Sequence, residues 1–227
     1  RWLSLDLPGH GGSPDRDSYA LEEVAGLVRS AVEAAGLAAP VLVGHSIAAV
    51  IATVYAALFP VAGVVNVDQP LQTEPFARML RAQRSVVTGP GFGAFWRILL
   101  ENMGIEKLPP GGQDLVRSTS RPRQAVVLGY WQEVFSLTPE QLDAKMTAAL
   151  AGVRAADCSY LTVTGTDGEP GYVEWLRRQV PAASTAELLG TGHFPHIGQP
   201  RQFAEVLAGT AGWACAEVER GAAPATR

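Results

Sequence analysis

The pentapeptide Gly44-His45-Ser46-Ile47-Ala48 stands between two apolar segments of different character. Before it, Pro40-Val41-Leu42-Val43 is a short continuous apolar run, the pattern of a strand in a parallel sheet covered on both faces. After it, residues 49–58 are apolar on every side and read as a buried helix. A chain that passes from strand to helix within so few residues must turn tightly, and the turn lifts its central side chain off the sheet. Ser46 is then offered to solvent with a helix N-terminus beneath it. Small neighbours suit so close a turn. Gly44 and Ala48 supply them, although Ala48 stands where the usual Gly-x-Ser-x-Gly form has its second glycine. Five residues alone would be compatible with an ordinary turn serine, but the flanking strand and helix argue against it.

The rest of the chain punctuates itself around this turn. Trp2-Leu3-Ser4-Leu5 reads as a buried strand, followed by a Gly/Pro/Asp-rich loop over 8–17. Leu21, Val24, Val28, Val32 and Ala35 recur at helical spacing up to Gly36. Residues 61–67 form another apolar strand, which ends at Asp68. Residues 70–156 do not alternate strand with helix. They read as several helices separated by Gly89-Pro90-Gly91 and Pro109-Pro110-Gly111-Gly112, with Thr138-Pro139-Glu140 opening the last. The strand pattern resumes at 160–164, a helix follows over 172–180, and a last strand over 186–189. Then come the Gly-flanked loop carrying His193 and a helix from about 201 to 213. The expected organisation is a core over 1–69, a helical cap over 70–156, a second core part over 157–214 and a frayed tail over 215–227. Phe92, Phe95, Trp96, Tyr130, Trp131 and Phe135 either hold the cap helices together or line an apolar substrate pocket.

Composition removes several classes of function. At 227 residues, 47% hydrophobic and 18% charged, the chain can bury the core of one large α/β domain. A net charge of −4 without a basic run argues against nucleic acid or an anionic membrane as partner, and no apolar stretch approaches the roughly 18 residues that span a bilayer. Cys158 and Cys215 form neither a disulfide framework nor a metal pattern, so a reducing cytoplasm is the expected setting. No Gly-rich dinucleotide loop, phosphate loop or metal-ligand cluster is present, and no cofactor is expected.

A serine hydroxyl is a weak nucleophile at neutral pH and needs a base, which in turn needs an acid to fix its tautomer. Four histidines are available. His45 lies too close along the backbone to reach Ser46 in line, and His10 belongs to the loop after the first strand. His193 and His196 share one loop, Gly192-His193-Phe194-Pro195-His196, and an imidazole's ordinary value near 6.5 suits either to the task.

Leu5-Asp6-Leu7-Pro8-Gly9-His10-Gly11-Gly12-Ser13-Pro14, Gly44-His45-Ser46-Ile47-Ala48 and the loop 190–200, in this order along the chain, resemble the α/β-hydrolase fold superfamily in its helical-capped form. The resemblance runs from residue 1 to about 212. It implies a mostly parallel sheet with helices on both faces and a cap insertion, Ser46 as nucleophile, His193 as base, and the backbone N–H of Ile47 as one oxyanion donor. The family's usual acid follows its seventh strand as the third residue after a glycine, and in Gly165-Thr166-Asp167-Gly168-Glu169 that position is Gly168. Asp167 and Glu169 flank it. Asp68 is the other candidate, since some members, lactonases among them, take the acid from the end of the sixth strand. Asp68 stands slightly ahead because Asp167 is out of step.

The resemblance also implies that Trp2-Leu3-Ser4-Leu5 is the family's fourth strand, and that the strand and loop giving the second oxyanion donor would precede it. Either the chain is a piece of a longer one, the reading favoured here, or the fourth strand pairs directly with the fifth. A protein beginning at Arg1 is therefore expected to hydrolyse esters poorly. The implied activity is cleavage of a carboxylic ester or lactone of a small, largely apolar molecule. C–C bond hydrolysis and non-catalytic ligand binding are the alternatives. Ser46 stands where the dehalogenases and epoxide hydrolases carry an aspartate, which excludes those branches.

Overall fold

The computed structural model describes residues 2–168 and 170–208. Four parallel strands form one sheet in the order β1 (Val41–His45), β2 (Gly63–Val67), β3 (Ser159–Thr164) and β4 (Ser184–Glu187). Between β1 and β2 runs helix α2 (Ile47–Leu58), preceded by α1 (Leu21–Ala34). Between β2 and β3 come seven helices: α3 (Glu74–Ala82), α4 (Arg84–Val87), α5 (Phe92–Asn102), α6 (Pro110–Thr119), α7 (Gln124–Tyr130), α8 (Gln132–Ser136) and α9 (Pro139–Ala155), with a 3₁₀ turn at Ile105–Lys107. Helix α10 (Tyr172–Gln179) joins β3 to β4, and α11 (Pro195–Gly198) and α12 (Pro200–Ala208) follow β4.

Both faces of the sheet are covered at its centre, which is why β2 is buried at every position although its residues alternate in direction. On one face Val64 and Tyr160 pack with Val50 of α2, Leu150 and Val153 of α9, and Leu176 of α10. On the other, Val65, Val67, Leu161 and Val163 meet Phe203, Val206 and Leu207 of α12. Toward β1 that second face is open, and Val41 and Val43 are 44% and 43% exposed.

Helix α9 shows how the long excursion returns to the sheet. Thr138 and Gln141 close a reciprocal capping box with Pro139 in the first turn, and Leu142, Met146, Leu150 and Val153 form the buried stripe. Cys158, just after it, is free and buried in the same cluster.

The segment 2–5 is a correction. It forms no strand, and Trp2, Leu3 and Leu5 are 84%, 42% and 38% exposed. A strand exists only where its N–H and C=O groups meet a neighbour, and β1 pairs with β2 alone. The alternative of direct pairing with the Ser46-bearing strand is likewise not observed. The first apolar anchor is Leu7, which packs against the cluster that holds Tyr19 and Tyr130. The following loop is held from two sides: Asp6 accepts the Gly12 N–H at 2.9 Å, and the Tyr130 hydroxyl donates to the Pro8 carbonyl at 3.0 Å. The last strand begins earlier than the sequence pattern suggests, at Ser184 rather than 186. The tail expected over 215–227 lies outside the described residues, as does Cys215.

Candidate active site

Strand β1 ends at His45 and α2 begins at Ile47, so Ser46 alone makes the turn. Its φ of 56° lies in the region that residues with a Cβ adopt only under constraint. The constraint acts on both sides of the residue. Its N–H donates to the Val67 carbonyl at 3.2 Å, and its carbonyl accepts from the Ala49 N–H at 2.8 Å. Gly44 makes the close return possible, because a Cβ there would lie 2.3 Å from the Ala48 carbonyl oxygen. Ile47 opens α2, where an amide has no carbonyl one turn back to receive it.

One strand over, Asp68 occupies the matching point just past β2, with φ 52°. The register pairs His45 with Val67 and Val67 with Val163, so Ser46 and Asp68 share the carboxyl edge of the sheet. The Asp68 N–H donates to the Val163 carbonyl at 2.7 Å. Its Oδ1 accepts from the Gly165 N–H at 2.8 Å and stands 3.2 Å from the Thr164 hydroxyl, while Oδ2 lies 2.9 Å from Nδ1 of His193. Burial pushes this carboxyl up, but the hydrogen bonds from His193 and the Gly165 amide outweigh it and hold the group below its ordinary value. An ionised Asp68 only accepts, so the proton of a neutral His193 sits on Nδ1 and Nε2 keeps its lone pair.

The backbone of His193 is also fixed on both sides. Its N–H donates to the Met103 carbonyl at 2.8 Å, at the end of α5, and its carbonyl accepts from Nε2 of His45 at 2.7 Å. Gly192 allows the approach to Met103: φ is 59°, and a Cβ would fall 2.5 Å from that carbonyl oxygen. The His45 and His193 ring centroids are 4.6 Å apart, which sets the imidazole beside the Ser46 turn. No hydrogen bond joins the Ser46 hydroxyl to the imidazole among the described residues. Catalytic hydrogen bonds of this kind are often long in unliganded enzymes.

The other candidates lie elsewhere. Asp167 is exposed and takes no part in the His193 contacts, and Glu169 is outside the described residues. The ring of His196 lies 4.6 Å from that of His45, with Nδ1 buried and unpartnered, and burial followed by the nearby His193 lowers its value. His10 folds back on its own loop, its Nδ1 donating to the Pro8 carbonyl at 3.1 Å. His45 makes the contact at this site that sequence reasoning passed over. Burial first, then His193 and His196, lower it to about 3, so it stays neutral and keeps its Nε2 proton for the His193 carbonyl. That contact spans 148 positions, and no local pattern announces it.

The aromatic residues of 70–156 mostly pack on one another. Phe92, Phe95, Trp96, Trp131 and Phe135 share one cluster with Leu80 and Val87, while Tyr130 joins Tyr19 in another. Only Trp96 of the six lines the cleft of about 720 Å³ between loop 9–15 and segment 119–127. Ser46, Asp68 and His193 do not line it. Among the described residues, no group of three or more His, Cys, Asp or Glu side chains is arranged to hold a metal ion, and no helix is long and apolar enough to cross a membrane.

Comparison with known proteins adds a family and several similar folds. The sequence model of the alpha/beta hydrolase family matches residues 1–206. Among curated proteins, no sequence matches. Among solved structures, Est816, an N-acyl homoserine lactone degrading enzyme, is similar at 20% identity over 91% of this chain and 81% of that one, with TM-score 0.62. AqDC, studied for recognition and ring-cleavage of the Pseudomonas quinolone signal, is 18% identical over 88% and 77%, with TM-score 0.69. A loop variant of the haloalkane dehalogenase DbeA from Bradyrhizobium elkanii is 20% identical over 90% and 78%, with TM-score 0.63. At such identities the likeness is one of fold.

Proposed function

The chain belongs to the alpha/beta hydrolase family, and from that premise we propose that it is a serine hydrolase cleaving a carboxylic ester or lactone of a small, largely apolar molecule. The observation that carries this reading is the 2.9 Å contact of His193 Nδ1 with Asp68 Oδ2 at the sheet edge that also bears Ser46. In the proposed sequence, Ser46 Oγ attacks the substrate carbonyl while His193 Nε2 takes its proton. Asp68 stays ionised and stabilises the imidazolium. The negative charge gathers on the substrate oxygen, and the Ile47 N–H receives it; one such donor is typically worth about 2.7–4 kcal/mol in the transition state. His193 returns the proton to the leaving alcohol, and water then releases the acyl group by the same steps in reverse order. The fold likeness to a lactone-degrading enzyme supports lactones as the first substrates to try.

A fluorophosphonate probe tests the nucleophile directly. Covalent labelling is expected on the native protein and not on Ser46→Ala, with loss of ester and lactone hydrolysis in parallel. Labelling that survives in Ser46→Ala would sink the assignment. The unbonded Ser46 hydroxyl favours one second reading, a protein that binds a small ligand over the same turn without chemistry. Tight ligand binding with no labelling of the native protein would select it.

A further inference from the structure

Asp68 is the residue on which the His193 tautomer depends, and it sits at φ 52°, a region that residues with a Cβ enter seldom, aspartate more readily than most. The turn that contains it is clamped by a side chain lying two residues earlier. Asn66 is fully buried in β2, and its amide spans the residue after Asp68: Oδ1 accepts the Gln69 N–H at 3.1 Å, and Nδ2 donates to the Gln69 carbonyl at 2.8 Å. The ladder contact of the Asp68 N–H with Val163 fixes the other side. We propose that Asn66 is a positioning residue, whose two-point hold on Gln69 sets the carboxylate of Asp68 against His193. The proposal rests on the reading of Asp68 and His193 as partners in catalysis.

Proton bookkeeping shows that the amide cannot reverse. The second Nδ2 proton of Asn66 points to the Tyr160 hydroxyl at 3.3 Å. Tyr160 lies 2.8 Å from Thr53 Oγ1, and Thr53 spends its only proton on the Ala49 carbonyl at 2.8 Å. Tyr160 must therefore donate to Thr53, which leaves its oxygen free to accept from Asn66. A reversed amide would set a carbonyl oxygen against a hydroxyl whose proton is already committed, and an N–H against the N–H of Gln69. The chain runs in one direction, from the acid's turn in β2 through β3 to the first turns of the nucleophile's helix.

The test reads the His193 ring rather than activity alone. In a long-range ¹H–¹⁵N spectrum above neutral pH, carbon-bound ring protons report which nitrogen carries the proton. The native protein is expected to show the Nδ1–H form, and Asp68→Asn to lose that preference. Asn66→Ala is expected to move toward the Asp68→Asn pattern and to lower kcat by about 10- to 100-fold at little change in KM. Thr53→Val, which cuts the same buried network at its far end, should lose comparable thermal stability while keeping the tautomer and kcat within about threefold. Asn66→Ser leaves a smaller void and carries the same expectation should Asn66→Ala not fold. An unchanged tautomer in folded Asn66 variants would overturn the proposal, and so would an equal loss in Thr53→Val. If Ser46→Ala kept its labelling, the functional reading would fall, and the ring spectrum would still decide the role of Asn66.

Discussion

At the scale of single residues, the proposed chemistry turns on which acid faces His193. Asp68 accepts the Nδ1 proton at 2.9 Å, while Asp167, closer to His193 in sequence, is exposed and makes no such contact. Replacing the carboxylate by an amide keeps size and shape but lets the imidazole take the wrong tautomer and leaves the imidazolium unstabilised. Asp68→Asn is therefore expected to lower kcat by roughly 10³–10⁴-fold with KM little changed, and Asp167→Asn to stay within about threefold of the native protein, as an exposed side chain should. Steady-state hydrolysis of one chromogenic ester by both variants decides it, and the reverse ranking would move the acid to the loop after β3. Both aspartates are open in the sequence because the family resemblance allows an acid after either strand, with Asp68 slightly ahead because Asp167 is one residue out of step. What separates them is φ and backbone contact, 52° and a bond to Val163, and neither is written in a local pattern.

At the scale of elements, the sheet and its helices were readable because each carries its period in a few consecutive residues. Val41–His45 and Gly63–Val67 are largely apolar, Ser159–Thr164 is rich in β-branched and aromatic residues, and Leu21–Ala34 shows its stripe and stops before Gly36 at φ 67°. Residues 2–5 carry the same apolar signal and form no strand, because pairing is a property of two segments and the signal of one cannot supply it. The contacts between elements were silent for the same reason. Lys145 of α9 joins Glu22 of α1 at 2.9 Å and also meets Glu133 of α8, tying the helices between β2 and β3 to the core, yet three charged residues spread over 124 positions announce nothing. The seam that matters for the proposed chemistry is the one where Gly192 passes under Met103. Gly192→Ala must displace either the His193 loop or the end of α5, at a cost on the order of 1–3 kcal/mol. A lower melting temperature together with a fall in kcat is expected; a variant as stable and active as the native protein would show that this seam does not hold the histidine.

At the scale of the whole molecule, the same groups make stability depend on acid. His45 is held at about 3 and His196 is also lowered, both from an ordinary 6.5, chiefly by burial. In the unfolded chain both take up protons as pH falls through 6.5, whereas the native fold refuses them. The unfolded state then binds more protons, so stability is fully present above about pH 7 and declines below it. The slope is at most about 1.4 kcal/mol per pH unit for each group. Asp68 adds to the decline later: its native value lies below the ordinary 3.8, so its contribution is present above that value and is lost only as the carboxylate protonates. The exposed pairs Arg78–Glu74 and Arg117–Glu101 act in the same direction but are screened by solvent and salt. Urea unfolding at pH 8, 7, 6, 5 and 4 should therefore give a plateau followed by a steady fall that begins before any carboxylate titrates. His45→Gln removes one of the two imidazoles and should flatten the fall between pH 6 and 4 by up to about 1.4 kcal/mol per unit, even though it weakens the protein at pH 8 through the lost contact to the His193 carbonyl. A native curve flat down to pH 4.5 would mean that His45 and His196 accept protons in place, and that His45 does not remain the neutral donor to the His193 carbonyl.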